Sequence, residues 1–125
     1  TSDVRPHGSP MTGTSDLVFR IAARAIGPEQ VDSALAALIE SSAWAPDTER
    51  ERVQLAVLKL YEEDSGRDLA KWARAAKADY RDVLYWAESP GEAQAGAHSR
   101  ISPERLKALR IADHEQLAAW LNRVA

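Results

Sequence analysis

The chain contains no cysteine among its 125 residues. That absence excludes disulfide staples, a thiol nucleophile and any cysteine-ligated zinc or iron–sulfur centre, and it agrees with a cytoplasmic protein. Long apolar runs are missing as well. No uninterrupted stretch approaches the roughly 20 residues that span a bilayer, and no basic segment leads into an apolar one as in a signal peptide. The three histidines, His7, His98 and His114, stand far apart in sequence, and none falls in the H-E-x-x-H spacing of a zinc site. No serine occupies a G-x-S-x-G elbow. Glu62-Glu63-Asp64 is acidic, yet it lacks the alternating D-x-D-x-D arrangement of an EF-hand loop. These absences point away from an enzyme: no catalytic residue, metal ligand or cofactor is expected.

What is present favours helices. Alanine is abundant, β-branched residues are few, and the six glycines and six prolines fall mostly between periodic segments, a mixture that suits α-structure. At 45% apolar and 28% charged residues, the composition is that of an ordinary globular domain. A chain of this length buries roughly two-thirds of its surface on folding. The net charge of −3 opposes general attraction to nucleic acid or anionic lipid. The two halves differ: residues 1–66 hold 6 basic and 11 acidic groups, net −5, and residues 67–125 hold 10 and 8, net +2.

The organising stretch is Val53 to Tyr61, VQLAVLKLY, in which only Gln54 and Lys59 are polar. A helix apolar nearly all round is buried between neighbours, so this one is expected at the centre of a small all-α, irregular or orthogonal bundle of five to seven helices. Thr48 and Glu51 have capping-box spacing, and Gly66 supplies a stop, which places the central helix near 48–62.

In chain order, residues 1–14 read as a tail with no apolar period. Met11 is a candidate initiator, which would make residues 1–10 partly expression-derived. Ser15 or Thr14 caps a first helix, Asp16 to Ile26, and Gly27-Pro28 separates it from a second, Pro28 to about Ser41. Leu69, Trp72, Ala73, Ala76, Tyr80, Val83, Leu84 and Ala87 keep one apolar stripe through 68–88. Either one helix or two satisfies it, and Asp79 offers a cap for a break near Lys77–Ala78. Residues 15–90 form the core domain, 91–100 a linker, and 101–125 a helical hairpin. The hairpin opens at Ser102-Pro103 and is re-capped at Asp113 with Gln116. Leu17, Ile21, Leu35, Leu38, Val53, Val57, Leu60, Leu69, Trp72, Val83 and Leu84 are the expected core.

The segments Gln54-Leu55-Ala56-Val57-Leu58-Lys59-Leu60 and Ala75 through Glu88, AAKADYRDVLYWAE, resemble a group of small uncharacterised bacterial helical proteins. In that group an AVLKL run precedes AAK-x-DYRDVL-x-WAE-x-P. The resemblance covers roughly residues 17–90; it implies a bacterial cytoplasmic protein and brings no activity or binding residue with it. Residues 104–117 also resemble the second half of a helix-hairpin-helix element. There the phosphate is held by amides of a glycine-containing hairpin, and Arg110 stands where that glycine belongs.

One surface stands out. Arg67, Lys71, Arg74, Lys77 and Arg81 recur at spacings of 4, 3, 3 and 4, a basic stripe interleaved with Asp68, Asp79 and Asp82 and adjoining Tyr85 and Trp86. Exposed aromatics flanked by arginine are typical of protein interfaces. The expectation is a non-enzymatic module that binds a partner protein or itself through Arg67, Lys71, Arg74, Lys77, Arg81, Tyr85 and Trp86. The alternative is a nucleic-acid accessory protein that uses the same cations or the C-terminal hairpin. No membrane association is expected.

Overall fold

A computed structural model of the chain describes residues 13–96 and 101–125. Most of the expected tail, the last part of the expected linker, and His7 and His98 lie outside the described residues. Those residues are all-α, with no strand.

Helix α1 (Asp16–Ile26) starts where Ser15 accepts the Val18 amide on its Oγ at 3.1 Å, and Gly27, at φ 97°, ends it. Helix α2 (Val31–Ser41) begins three residues later than expected. The Gln30 amide is bonded back to the Gly27 carbonyl, so Pro28 sits inside a turn instead of opening the helix. A 3-10 turn at Asp47–Glu49 then leads into α3 (Arg50–Glu63). The capping box expected from Thr48 and Glu51 does not form, because Thr48 lies within that turn and Glu49 precedes the helix with no side-chain cap. Arg50 braces the corner instead, with its guanidinium bonded to the Ala45 and Ala43 carbonyls and paired with Asp47 at 3.0 Å.

Helix α3 is the buried centre. Val53, Ala56, Val57, Leu58 and Leu60 are all removed from solvent, and α1, α2, α4 and α5 all contact it. It ends in paired bonds from the Gly66 amide to Tyr61 O and the Ser65 amide to Glu62 O, the Schellman arrangement. Both Ser65 (φ 62°) and Gly66 (φ 65°) are left-handed there. Of the expected core, Ile21, Leu35, Leu38, Val53, Val57, Leu60, Val83 and Leu84 are buried, whereas Leu17, Leu69 and Trp72 are only partly buried and pack against its edge.

Residues 68–88 form two helices, α4 (Leu69–Ala78) and α5 (Tyr80–Glu88), with Asp79 extended between them and accepting from the Arg81 amide. Two expectations fail beyond this point. Residues 90–96 form a short helix, α6 (Pro90–Gly96), in place of a linker. Residues 101–125 form one continuous helix, α7 (Pro103–Val124), in place of a hairpin.

One residue accounts for both differences. Asp113 does not cap a second short helix locally; it is 5% exposed in the middle of α7. Its two carboxylate oxygens accept the amides of Gly91 at 2.8 Å and Glu92 at 3.0 Å. A methyl group on Gly91 would meet Asp113 Oδ1 at 2.7 Å, so any larger residue there must push the carboxylate aside. Further along α7, Trp120 and Val124 enter the core, and the Val124 carbonyl accepts from Arg24 of α1 at 3.2 Å.

Candidate functional site

The basic stripe does not survive as a single row. Arg67 precedes α4, and Arg81 lies beyond the extended Asp79, so only Lys71, Arg74 and Lys77 belong to α4 itself. Most of these cations have anionic neighbours. Arg67 and Lys71 approach opposite oxygens of Asp64 at 3.8 and 3.9 Å, Lys77 reaches Glu40 of α2 at 3.1 Å, and Arg81 reaches Asp79 at 3.3 Å. Arg74 is exposed. Lys71 Nζ also stands 4.5 Å from the centre of the Trp72 ring, within cation–π range.

Tyr85 and Trp86 are both 41% exposed. Trp86 meets Trp72 edge to face, with ring centres 6.5 Å apart and planes at 72°, a favourable aromatic geometry. The Trp72 indole N–H is buried with no acceptor among the described residues. This aromatic pair joins the start of α4 to the end of α5.

At the other end of the α4–α5 pair the structure assembles a group that the periodicity alone does not reveal. Trp44, in the loop after α2, is 77% exposed. With Lys77, Ala78, Asp79, Tyr80 and Arg81 it lines an open depression of about 350 Å3. Six residues separate Trp72 from Ala78 along α4, about 9 Å at helical rise, so the two aromatic groups are neighbouring but distinct. The sequence signal for Trp44 is its place half a turn off the core stripe of α2. An indole that cannot join its own helix's apolar face must find cover elsewhere or remain in solvent.

The local fold fixes this depression. Ser41 and Ser42 turn α2 off by donating to the Leu38 carbonyl at 2.7 and 3.0 Å. Ser42 Oγ accepts in turn from the buried Gln54 Nε2 at 2.9 Å, and the same amide group reaches the Gly13 carbonyl. Ala45 is buried beside Trp44, so the loop is pinned on both sides of the exposed indole.

The perturbed carboxyl groups are dispersed. Glu62, at the end of α3, is held below its ordinary value first by the Arg123 guanidinium and also by the Trp120 indole N–H, against the opposing effect of burial. Asp79 is lowered chiefly by the backbone amide of Arg81. These two groups belong to separate ion pairs, and each is lowered by its own cap or cation. No group of three or more potential metal ligands occurs among the described residues. No helix among them is long and apolar enough to cross a membrane. Comparison of the chain with protein-family models, with curated proteins and with solved structures gives no match.

Proposed function

We propose that this protein is a non-enzymatic binding module, bacterial and cytoplasmic as the resemblance over residues 17–90 implies. Its docking point is the depression formed by Trp44, Lys77, Tyr80 and Arg81. The observation that carries this reading is Trp44, a large apolar side chain 77% exposed in a depression that Lys77 and Arg81 also line. Indole and guanidinium anchors of this kind dominate measured interface energetics. The partner that fits is an acidic polypeptide segment with an apolar residue: the apolar group covers the indole, while carboxylates compete with Glu40 and Asp79 for Lys77 and Arg81. The expected residues Arg67, Lys71, Arg74, Tyr85 and Trp86 do not line this depression, and Trp86 pairs with Trp72 at the other end of α4 and α5.

The test is quantitative affinity capture with the unaltered chain, Trp44→Ala and Lys77→Glu/Arg81→Glu. The bound proteins are identified, and each is then re-bound in purified form. A partner with an acidic segment, retained by the native chain and lost by both variants, is the expected result. If the variants capture the same proteins to the same extent, the depression is not the docking point.

The nucleic-acid alternative relies on the same cations and no longer has a C-terminal hairpin to support it. Phosphate contacts weaken steeply with salt. Titration with duplex and single-stranded DNA at two ionic strengths is expected to show no binding, and a steep salt slope would favour the alternative instead.

A further inference from the structure

The two cations of the depression are held differently, and the difference decides which of them a partner can take. Arg81 is tied to Asp79, which lines the depression with it. Asp79 Oδ1 accepts the Arg81 backbone amide at 3.0 Å and the Arg81 Nε at 3.3 Å. The first of these bonds is the N-cap of α5, so this carboxylate is fixed by the fold and cannot leave without uncapping the helix. The same amide holds the Asp79 carboxyl below its ordinary value, and its negative charge stays beside Arg81.

Lys77 has a looser counterion. Its Nζ donates to Glu40 Oε2 at 3.1 Å, and Glu40, near the end of α2, is not among the residues that line the depression. While that pair holds, the ammonium is engaged by a carboxylate outside the depression. The Glu40 carboxylate has no second hydrogen bond among the described residues, and the Lys77 and Glu40 side chains are 51% and 68% exposed. An ion pair so exposed is weak, and lysine carries its charge on a flexible four-carbon stem. Exchanging one carboxylate for another at Lys77 therefore costs little, whereas a carboxylate arriving at Arg81 is set against Asp79.

We propose that Glu40 is a displaceable placeholder at the docking point: a carboxylate of the partner takes Lys77 from it while an apolar residue covers Trp44, and Arg81 stays with Asp79. This rests on the docking reading above and adds to it the register of the partner, whose acidic residue meets α4 and not the start of α5. Glu40 competes for Lys77, so neutralising it tightens binding even though it is itself outside the depression.

The probe is the peptide acetyl-Glu-Glu-Leu-Glu-Glu-amide, titrated into the 15N-labelled full chain at low ionic strength. The indole N–H of Trp44 and the amides of Ala78 and Tyr80 are the reporters. The unaltered chain should give saturable shifts that Trp44→Ala abolishes at the two amides. Glu40→Gln should tighten binding roughly 1.5- to 5-fold, the range of an exposed ion pair, and Lys77→Gln should weaken it. With Lys77→Gln already present, Glu40→Gln should add nothing. Arg81→Gln should weaken binding less than Lys77→Gln does. Glu115→Gln, which removes an exposed acid on α7, should have no effect, and so separates competition at Lys77 from a general gain in positive charge. The four charged positions are exposed, so folding is not at stake. No gain in Glu40→Gln, a gain that survives the loss of Lys77 or is matched by Glu115→Gln, or an Arg81→Gln loss as large as that of Lys77→Gln would each overturn the proposal and leave the docking point standing. No saturable shift with the unaltered chain, or undiminished amide shifts in Trp44→Ala, would overturn the docking reading with it.

Discussion

Leu60 sits in the last turn but one of α3, buried with Val57 and Leu58 in the main core. Leu60→Ala should lower unfolding free energy by about 2–5 kcal/mol, the usual range for a buried leucine. Denaturant unfolding measures it, and a loss under about 1 kcal/mol would show that α3 is not the centre of the fold. Ser65 offers the opposite sign. It holds a left-handed conformation at φ 62° that glycine adopts without strain, so Ser65→Gly should add up to about 1 kcal/mol by the same measurement. Glu62 predicts a pH effect. Its folded pKa lies below the ordinary 4.5, chiefly through Arg123. The stability it contributes is therefore present above the unfolded value and is lost as pH falls through the folded one. Glu62→Gln should flatten the acid limb of the stability profile below about pH 4.5 and leave the shape between pH 6 and 8 unchanged; an unaltered acid limb would count against the Arg123 pairing. Apolar residues of this core could be read from spacing because periodicity dictates which face turns inward. Gln54 and Lys59 could not. They read as interruptions of an apolar run, and both are buried: Gln54 donates to Ser42 and Gly13, remote in sequence, and Lys59 pairs with Glu63 one turn along α3.

The helices themselves were most legible where the stop and start signals are local. Ser15, Asp79 and Ser102 each accept an amide two or three residues ahead, and each is recognisable from residue type and position. Asp113 follows the same chemistry across 22 and 21 residues, and for that reason the sequence mimics a local cap that does not exist. Its Gln116 partner likewise turns away, toward the Ala87 carbonyl at 3.5 Å. The basic stripe fails for a related reason: five cations at helical spacing form a row only if the helix runs through them, and Asp79 breaks it. Asp113→Ala should release α6. Hydrogen exchange at the Gly91 and Glu92 amides should accelerate by an order of magnitude or more, the loss of about 1–3 kcal/mol for an unmet buried donor, while α7 keeps its helicity. Unchanged exchange at those two amides would mean that α6 is held by other contacts. Gly91→Ala tests the same junction from the other side, since its added methyl displaces the carboxylate.

In the whole molecule, α7 is the cover that completes the core. Trp120 and Val124 are buried, and the Trp120 indole N–H donates to Glu62 Oε1 at 2.9 Å. Deleting residues 92–125 should lower the melting temperature and raise the binding of a hydrophobic dye. If neither changes, α7 is an independent appendage. The all-α class and the central position of α3 were both legible, because they follow from composition and one unbroken apolar stretch. How α7 closes on α1 and α3 was not, because nothing in a local window encodes a contact made a hundred residues away.

That closure sets an order of events during synthesis. Helices α1 to α5 meet one another over short separations, yet the pairing of Arg24 with the Val124 carbonyl spans 100 residues and that of Glu62 with Trp120 spans 58. A nascent chain that has emerged only as far as Ala95 already presents α3 and α5 but lacks the indole and the valine that seal them. Its apolar seam stays open for the time taken to make the residues through Val124, a few seconds at roughly 5–20 residues per second. Exposed apolar surface of that kind makes an unfinished chain prone to aggregate, which is the hazard chaperones exist to relieve.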